Sequence, residues 1–411
     1  MAQLIIFTNN FPFGNGETFL ETEIGYLANH FIDIHIFPLY YGQSYSARQL
    51  PKNISYSEPF FKIDVPTNRF GLLMKGLINS GPIFFAVKEF FKAKVYLNFQ
   101  HFKNWLSEAC IIRYLSTATS IRKLNSQLQA DTILYFYWGD KSSGIIPFLK
   151  KTYHYPIVVR FHNSDLYEEI KHGYLPFRAR LLKNLTSGVF ISEKGEKYLI
   201  TRYHNINFKS CVYKLGVREM SPASISRDNI FRIVSCSYVV PIKRIHLIIE
   251  ALKYLNFNVE WTHIGGGPLL DQIEKECKAL KSNIKAVFLG HLSNEAVLDF
   301  YRTHSVDLFI NVSHSEGIPV SIMEAISAGI PVIATDVGGV SEIINNSFGT
   351  LIKRDFSIQH LGNLIQNYAS KSKDEKLKQR KAAINFWDEN FNAEKNYTSF
   401  AKYLKSLGAL Y

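Results

Sequence analysis

Short apolar runs alternate with amphipathic segments through the second half of the chain. Runs such as FRIVSCSYVV (231–240), VDLFINVS (306–313) and IPVIAT (330–335) are rich in apolar residues, as strands buried on both faces are. Between them, LLDQIEKECKAL (269–280) and NEAVLDFYRTH (294–304) have the apolar spacing of amphipathic helices. Strands that alternate with helices predict a parallel, doubly wound sheet, which binds ligands at the carboxyl ends of its strands.

The first half of the chain shows the same alternation less regularly. Its predicted strands are QLIIFTN (3–9), DTILYFYWG (131–139), YPIVVRFHN (155–163) and SGVFIS (187–192). No clear strand pattern occurs between about residues 60 and 125, so we predict a mostly helical insert there.

A polar run, LGVREMSPASISRDN (215–229), indicates a boundary between two domains. We therefore predict an α/β chain of two Rossmann-like, doubly wound domains that face each other across a cleft. The N-terminal domain would span 1–215, and the second domain would span 216–385. The remaining segment, 386–411, reads as an amphipathic terminal helix that packs back toward the N-terminal domain.

The net charge of the chain indicates which kinds of partner it would bind. The 411 residues include 47 Lys and Arg against 35 Asp and Glu, and the formal net charge of +12 favours anionic partners. Phosphorylated substrates, anionic lipids and nucleic acids all fit that charge. Because the chain has no nucleic-acid recognition motif, we do not expect nucleic acid as a partner.

The chain reads as a cytoplasmic protein. Its four cysteines are scattered without the spacing of a zinc site or a disulfide framework, which is typical of a reducing compartment. The N-terminus has no signal-peptide pattern. No apolar stretch is long enough to span a bilayer.

Two glutamates, Glu316 and Glu324, flank a Gly-Ile-Pro turn in HSEGIPVSIMEAISAG (314–329). Pro319 suits the start of a helix that ends at Gly329. The backbone N–H groups at the start of such a helix bind anions well, and carboxylates accept hydrogen bonds from sugar hydroxyls. The pair therefore suits a phosphorylated sugar ligand, although two glutamates at this spacing also occur as ordinary loop and helix-surface residues.

The wider stretch SEGIPVSIMEAISAGIPVIATDVGGVSEII (315–344) resembles the donor-site signature of family-4 glycosyltransferases, which have the GT-B fold. The resemblance includes FPFGNGETFLETEI, VVRFHNSDLY, SCSYVVPIKRIHLIIEAL, HIGGGP and the Trp-containing terminal segment. It is similar to bacterial members that build capsule, exopolysaccharide or O-antigen repeat units. The resemblance implies that Glu316 contacts the transferred sugar and that Glu324 binds the ribose hydroxyls of a nucleotide sugar.

The same resemblance implies further donor-binding residues. Lys243 and Arg244 would meet the diphosphate, and Lys243 would take part in catalysis. Family members usually carry an Arg in Gly-Arg-Leu before this lysine, where this chain has Ser-Tyr-Val, so Arg244 would replace it. The remaining donor-binding residues are expected to be Gly16, Gly266, Gly267, Leu292, Gly317, Ile318, Pro319 and Val320. Solvated cations and plain glycine turns are the alternative interpretation.

In the N-terminal half, the resemblance implies that His162 contacts the transferred sugar as a catalytic residue. Asn163 stands where the family has Gly in its His-Gly-x-Asp pattern. The acceptor side would include Gly14, Asn15 and Asp165. On spacing alone, His162 could equally be a structural histidine.

The sequence contains no Asp-x-Asp motif, which metal-dependent glycosyltransferases use to hold a divalent ion on the diphosphate. We therefore expect no metal and no cofactor. The insert at about 60–125 interleaves Lys and Arg with Phe and Tyr, as in FFAVKEFFKAKVYLNF (84–99). Such a stretch is typical of helices that lie on anionic membranes, although it is also compatible with an ordinary packed helical face.

Together these features predict a retaining, metal-independent glycosyltransferase. It would transfer a hexose from a UDP- or GDP-sugar to a hydroxyl of a lipid-linked glycan acceptor. The reaction would take place at the inner face of the bacterial cytoplasmic membrane. Two alternatives remain open at this point. A non-hydrolysing sugar-nucleotide epimerase would convert the donor without an acceptor, and a non-catalytic binding partner would hold the donor without turnover.

Overall fold

The computed structural model describes residues 2–14, 16–41, 46–61, 82–124, 128–152, 155–204 and 207–409. The chain divides into two compact units. The N-terminal unit is Met1–Leu215 together with Glu394–Tyr411, and the C-terminal unit is Gly216–Ala393. Among the described helices, none is both long enough and apolar enough to span a membrane.

In the described part of the N-terminal unit, seven parallel strands form one sheet. They are β1 (Gln3–Thr8), β2 (Asp33–Pro38), β3 (Ile54–Tyr56), β4 (Ile133–Phe136), β5 (Ile157–Phe161), β6 (Ser187–Phe190) and β7 (Lys209–Val212). Their spatial order is β3-β2-β1-β4-β5-β6-β7. From β1, the chain first adds β2 and β3 on one side of the sheet and then adds β4 to β7 on the other side. Doubly wound sheets bind ligands at this point of reversal, which here lies between β1 and β4.

Helices cover this sheet. They are α1 (Thr18–Ala28), α2 (Phe84–Lys92), α3 (Phe99–Thr117), α4 (Thr119–Lys123), α5 (Ile146–Thr152), α6 (Arg178–Leu182) and α7 (Glu193–Arg202). The predicted helical insert supplies α2, α3 and α4, while its residues 62–81 lie outside the described residues. One core contains Phe7, Phe136 and Phe161 from the sheet together with Ile111 and Leu115 from α3.

The described C-terminal unit has a second parallel sheet. Its strands are β8 (Phe231–Cys236), β9 (Val259–Ile264), β10 (Ile284–Phe288), β11 (Leu308–Asn311), β12 (Val332–Thr335) and β13 (Gly349–Ile352), in the order β10-β9-β8-β11-β12-β13. The helices are α8 (His246–Leu252), α9 (Leu270–Cys277), α10 (Asn294–Thr303), α11 (Val320–Ser327), α12 (Ile358–Ala369) and α13 (Lys373–Asn390). Here the order reverses between β8 and β11.

Two doubly wound parallel sheets confirm the predicted fold class. The strands β2, β3, β7 and β13 were not predicted from the sequence. β3 and β7 lie at the sheet edges and are largely exposed or half-buried, so they lack the continuous apolar pattern of central strands. β13 begins with Gly349 and is also half-buried at an edge.

The terminal segment is not the single helix that we predicted. α13 ends at Asn390, and α14 (Ala393–Gly408) begins after a short break. At the break, the N–H of Val217 donates to the C=O of Phe391 (3.0 Å), and the C=O of Val217 accepts from the N–H of Ala393 (3.1 Å). These bonds replace helical ones. Beyond the break, α14 packs in the N-terminal unit, where Phe400 and Leu404 share a core with Tyr135.

Candidate active site

The predicted donor residues of the C-terminal unit lie in the segments that follow β8, β9, β10 and β11, including the helix α11. Because the strands are parallel, these loops share one edge of the sheet. The N–H of His314 donates to the C=O of Ile242 (2.8 Å), which joins the β11 loop to the turn that precedes α8. Lys243 and Glu316, which are far apart in the sequence, are thereby brought together.

An ion pair joins these two side chains. Lys243 Nζ lies 2.6 Å from Glu316 Oε1, and the side chains are 22% and 8% exposed. The same carboxylate oxygen accepts hydrogen bonds from Ser313 Oγ (2.6 Å) and Asn311 Nδ2 (3.2 Å). Charge-assisted bonds of this kind hold a carboxylate in one orientation. The pair is therefore shielded and well oriented, yet partly open to solvent.

Arg244 uses its guanidinium to hold the protein backbone. Its Nε donates to the C=O of Val312 (2.7 Å), and its Nη1 donates to the C=O of Arg354 (2.9 Å). The first bond fixes the segment between β11 and Glu316, and the second ties Arg244 to the loop after β13. The diphosphate-binding role of Arg244 stays a prediction, and its present contacts indicate a positioning role.

Glu324 lies in the second turn of α11 and is buried. Asn294 Nδ2, from the first residue of α10, donates to Glu324 Oε1 at 2.5 Å. Burial raises the pKa of Glu324 to about 7, although the hydrogen bond from Asn294 acts to lower it. A buried carboxylate gains stability from a ligand that donates hydrogen bonds to it. Asn294 was not predicted as a site residue, because nothing in the α10 pattern distinguishes it from an ordinary helix-start residue.

The other predicted donor residues lie on the same edge. Gly266 and Gly267 follow β9, and the half-buried Leu292 follows β10. A Cβ on Gly267 would lie 2.5 Å from the carbonyl oxygen of Val239, so backbone packing requires glycine there. The loop before α11 and its first residue carry the others: Gly317, Ile318, Pro319 and Val320.

In the N-terminal unit, His162 follows β5 and is 7% exposed. Its two ring nitrogens are buried and have no hydrogen-bond partner among the described residues. The rings of Trp138 and Tyr137 lie 4.4 and 4.8 Å from the imidazole, centroid to centroid. A buried polar group without a partner is costly, so these nitrogens are suited to hydrogen-bond a ligand.

Asp165 holds this histidine in place. Its carboxylate accepts from the backbone N–H groups of His162 (2.9 Å) and Gly139 (2.7 Å), and it lies 3.8 Å from His162 Nδ1. Burial acts to raise the pKa of Asp165, but the interactions with His162 and Gly139 outweigh burial, and the pKa is lowered. The side chain is fully buried. Its acceptor-side role stays a prediction, and its present contacts indicate that it positions His162.

Two charged side chains that the sequence analysis did not single out hold the loop after β1. Glu17 accepts hydrogen bonds from the backbone N–H groups of Asn9, Asn10 and Phe11 and from Trp138 Nε1. Arg48 Nη2 donates to the C=O groups of Gly14 and Gly16, each at 2.6 Å. The predicted acceptor residue Asn15 lies outside the described residues. Glu17 lies within the quoted stretch FPFGNGETFLETEI, but neither its charge nor that of Arg48 indicates which backbone groups it would hold.

Comparison with known proteins identifies the C-terminal unit. Residues 218–385 match the family model described as "Glycosyl transferases group 1". The C-terminal unit contains a group 1 glycosyltransferase domain. This domain includes Lys243, Arg244, Glu316 and Glu324, whereas His162 lies outside the matched residues.

Similar curated proteins align with part of the chain. The chain is 40% identical over 90 residues to the O-antigen biosynthesis glycosyltransferase WbnH of Escherichia coli, covering 22% of this chain and 24% of WbnH. It is 32% identical over 126 residues to the putative teichuronic acid biosynthesis glycosyltransferase TuaC of Bacillus subtilis, covering 31% and 30% of the two chains. The alignments thus span less than a third of each relative.

Two solved structures match the chain over nearly its whole length. The lipopolysaccharide outer core galactosyltransferase WaaB has a TM-score of 0.66 at 16% identity, covering 98% of this chain and all of WaaB. Anabaena HepE in complex with UDP and glucose has a TM-score of 0.64 at 15% identity, covering 98% and 99%. At these identities the similarity shows the fold, which is GT-B and agrees with the two sheets described above.

A close backbone contact fixes the glutamate loop of the group 1 domain. Gly338 follows β12 with φ +56°, and a Cβ there would lie 1.9 Å from the carbonyl oxygen of Glu316. The N–H of Gly339 donates to the C=O of Gly317 (2.8 Å). The Gly-Gly pair thus supports the loop directly, a role that the sequence analysis did not assign.

We expect Gly338→Ala to displace the Glu316 loop and to destabilise the domain. The left-handed conformation alone costs a residue with a Cβ about 1–2 kcal/mol, and the contact with Glu316 adds to that cost. Gly290→Ala is the matched control, because Gly290 has φ +64° with no atom within 4 Å of the added Cβ. Urea unfolding should show a larger loss of unfolding free energy for Gly338→Ala. Equal losses would mean that the contact is absent in solution.

Proposed function

We propose that this protein is a retaining glycosyltransferase of the family-4 type that transfers a hexose from a UDP- or GDP-sugar to a hydroxyl of a lipid-linked oligosaccharide. The reaction would need no metal ion and would serve the biosynthesis of a surface polysaccharide in the cytoplasm. The observation that carries the proposal is the Lys243–Glu316 ion pair in the loops of a group 1 domain.

The pair suits the departure of a nucleoside diphosphate. As the bond between the sugar and the phosphate oxygen breaks, negative charge grows on the diphosphate. Lys243 and the backbone N–H groups at the start of α11 can stabilise that charge. Arg244 acts through the loop that it holds. Glu324 supplies an acceptor for the ribose hydroxyls.

The configuration at the anomeric carbon is retained if the acceptor hydroxyl attacks the same face of the sugar that the diphosphate leaves. The new bond forms between the acceptor oxygen and the anomeric carbon, and the acceptor proton passes to the departing phosphate oxygen. No protein base is then required. His162, whose Nδ1 lies beside Asp165 and whose Nε2 has no hydrogen-bond partner among the described residues, would bind hydroxyls of the transferred sugar.

The comparisons support the substrate class. HepE is described in complex with UDP and glucose, and WaaB as a lipopolysaccharide galactosyltransferase. WbnH and TuaC are named for O-antigen and teichuronic acid biosynthesis. These names favour a nucleotide-sugar donor and a growing polysaccharide as acceptor.

Donor turnover tests the proposal. The purified protein would be incubated with a panel of UDP- and GDP-sugars and octyl glycosides as surrogate acceptors, with and without EDTA. We expect one donor to release its nucleotide with transfer of the sugar, at the same rate in EDTA. Inhibition by EDTA would contradict metal independence.

The product pattern also separates the two alternatives. Formation of a sugar-nucleotide isomer would favour an epimerase. Binding of a donor without release of nucleotide or isomer would favour a non-catalytic binding partner. Either result would overturn the transferase proposal.

An exposed apolar surface supports a peripheral membrane location. The α2–α3 patch consists of Phe84, Phe91, Leu97 and Phe99, which are 65–87% exposed. Four lysines accompany it in the sequence: Lys88, Lys92, Lys94 and Lys103. Exposed aromatic residues among lysines suit an anionic bilayer surface, into which the rings insert while the cations meet lipid headgroups.

We expect Phe84→Ser with Phe91→Ser to weaken binding to vesicles of phosphatidylglycerol roughly tenfold or more, because burying one Phe side chain contributes about 1.5–3 kcal/mol. Co-sedimentation at low and high salt would measure the effect, and binding should fall with salt. Leu377→Ser with Ile200→Ser, which also removes two exposed apolar side chains, is the control. Unchanged binding of the first variant would exclude the α2–α3 patch as the contact.

A further inference from the structure

Buried polar atoms without partners gather beyond β2 and β4 in the N-terminal unit. Tyr40, which follows β2, is 4% exposed, and its hydroxyl has no hydrogen-bond partner among the described residues. Two more buried atoms have no hydrogen-bond partner among the described residues: Asp140 Oδ1, in the loop after β4, and Arg178 Nη1, at the start of α6. An unsatisfied buried polar group costs about 1–3 kcal/mol, so several together indicate a ligand that satisfies them.

Two contacts place the residues that carry these atoms near one another. A Cβ on Gly139, the neighbour of Asp140, would lie 3.0 Å from Arg178 Nη1. Lys141 Nζ lies 5.3 Å from the centroid of the Tyr40 ring. Burial, followed by the charges of Glu108 and Asp140, raises the pKa of Tyr40 well above its ordinary value, so its hydroxyl stays protonated.

A third element completes the cluster. The N–H of Lys141 donates to Glu108 Oε1 (3.2 Å), which brings α3 against the loop after β4. Burial, followed by the charge of Asp140, raises the pKa of Glu108 to about 7. Near neutral pH this carboxyl group is therefore partly protonated and can donate as well as accept a hydrogen bond.

The charges around Asp140 favour a neutral ligand. Besides Glu108, the acid Asp165 and the cations Lys141, Lys171 and Arg178 act on this cluster. Acidic and basic groups are both present, so neither an anion nor a cation would meet a uniformly opposite charge there. A sugar ring is neutral, and each of its hydroxyls both donates and accepts, as these atoms require.

The cluster also adjoins the candidate catalytic histidine. Asp165 accepts from the N–H groups of both Gly139 and His162, so one carboxylate holds the loop after β4 and the loop after β5. These loops lie beside the point where the order of strand addition reverses. A sugar held by Tyr40 and Asp140 would therefore lie near His162.

We propose that Tyr40, Asp140 and Arg178 bind neighbouring hydroxyl groups of a neutral sugar, which is the terminal residue of the glycan acceptor. This inference rests on the proposed function and names the chemical class of its acceptor. Tyr40 and Asp140 would select a sugar with two adjacent free hydroxyls. An acidic sugar would bind poorly.

Sugar binding by the full-length protein tests the site. Saturation-transfer NMR would measure the binding of octyl β-D-glucoside, octyl β-D-galactoside and the anionic octyl β-D-glucuronide. Tyr40→Phe and Asp140→Asn each remove one hydrogen-bonding atom or one charge with little change of shape. Tyr56→Phe and Asp131→Asn make the same changes outside the cluster. Nucleotide release from the donor would be measured in parallel for all variants, and their melting temperatures would be compared.

We expect at least one neutral glycoside to bind and the glucuronide to bind more weakly. Tyr40→Phe and Asp140→Asn should each weaken that binding roughly five- to tenfold. The two control variants should bind as the unaltered protein does.

Two results would overturn the inference while leaving the proposed function intact. One is donor turnover without binding of either neutral glycoside. The other is unchanged binding in both Tyr40→Phe and Asp140→Asn. Absence of donor turnover in every protein would instead contradict the proposed function, and the binding measurements would then still decide whether the cluster holds a sugar.

Discussion

Replacing Glu316 with glutamine is expected to reduce kcat for sugar transfer roughly 10²- to 10³-fold, the effect typical of losing one group that stabilises charge in a transition state. Glu316 Oε1 takes hydrogen bonds from Lys243, Ser313 and Asn311. The amide of glutamine keeps the shape of the side chain but removes its charge. Lys243 would lose its ion-pair partner and its fixed orientation.

Steady-state kinetics and nucleotide binding would separate catalysis from affinity. We expect the dissociation constant of the nucleotide to change much less than kcat, because the proposed role of Glu316 concerns the transferred sugar. Glu250→Gln provides the control, since Glu250 and Lys253 form an ion pair of the same 2.6 Å length on an exposed helix surface. Transfer by Glu316→Gln within a fewfold of the unaltered rate would exclude Glu316 from the catalytic site.

Replacing Glu324 with glutamine should produce the second large effect, a loss of nucleotide affinity. If Glu324 accepts hydrogen bonds from the ribose hydroxyls, each charged bond contributes about 1.5–3 kcal/mol. Loss of the charge should then weaken binding of the nucleotide roughly 10- to 100-fold, measured by calorimetry. The control is Glu295→Gln, which alters an exposed glutamate on α10 beside Asn294.

The same substitution should stabilise the protein without ligand at alkaline pH. Burial raises the folded-state pKa of Glu324 from 4.5 to about 7. Below pH 4.5 the group is protonated in both states and costs nothing. As pH rises through the window from 4.5 to about 7, the unfolded state ionises first, so stability falls. The total loss above pH 7 is about 3 kcal/mol.

Urea unfolding at pH 5 and pH 8 would test this sign. Glu324→Gln should unfold at higher urea than the unaltered protein at pH 8 and nearly together with it at pH 5. Normal nucleotide binding by this variant would contradict the assignment of Glu324 as a ligand-binding carboxylate. Lower stability than the unaltered protein at pH 8 would contradict the expectation that the charged Glu324 destabilises the folded protein.

The central strands and the glutamate loop were predictable because their signals are local. Strands buried on both faces, such as β5, β11 and β12, must be almost wholly apolar, so their segments are distinctive by themselves. α11 is likewise marked by Pro319 before it and Gly329 after it. Because parallel strands end at one edge, those local signals also placed Lys243 and Glu316 in neighbouring loops.

Edge strands and the terminal break were not predictable in this way. β3 and β7 have exposed or half-buried residues, since each has a strand on one side only. The break between α13 and α14 depends on hydrogen bonds with Val217, which is remote in sequence. No local pattern around Phe391 indicates such a partner.

The sequence by itself determined the two parallel α/β sheets and the chemical types at the candidate site, because apolar periodicity, glycine and proline positions and charge are properties of short segments. Tertiary structure alone decided what each polar side chain contacts. In the fold, Arg244 donates hydrogen bonds to backbone carbonyls, and Asp165 is buried next to His162. Tyr40, Glu108 and Asp140, which are remote in sequence, lie near one another. The physical reason is that hydrogen bonds and burial depend on distances in space. The fold sets those distances between residues that are far apart in the chain.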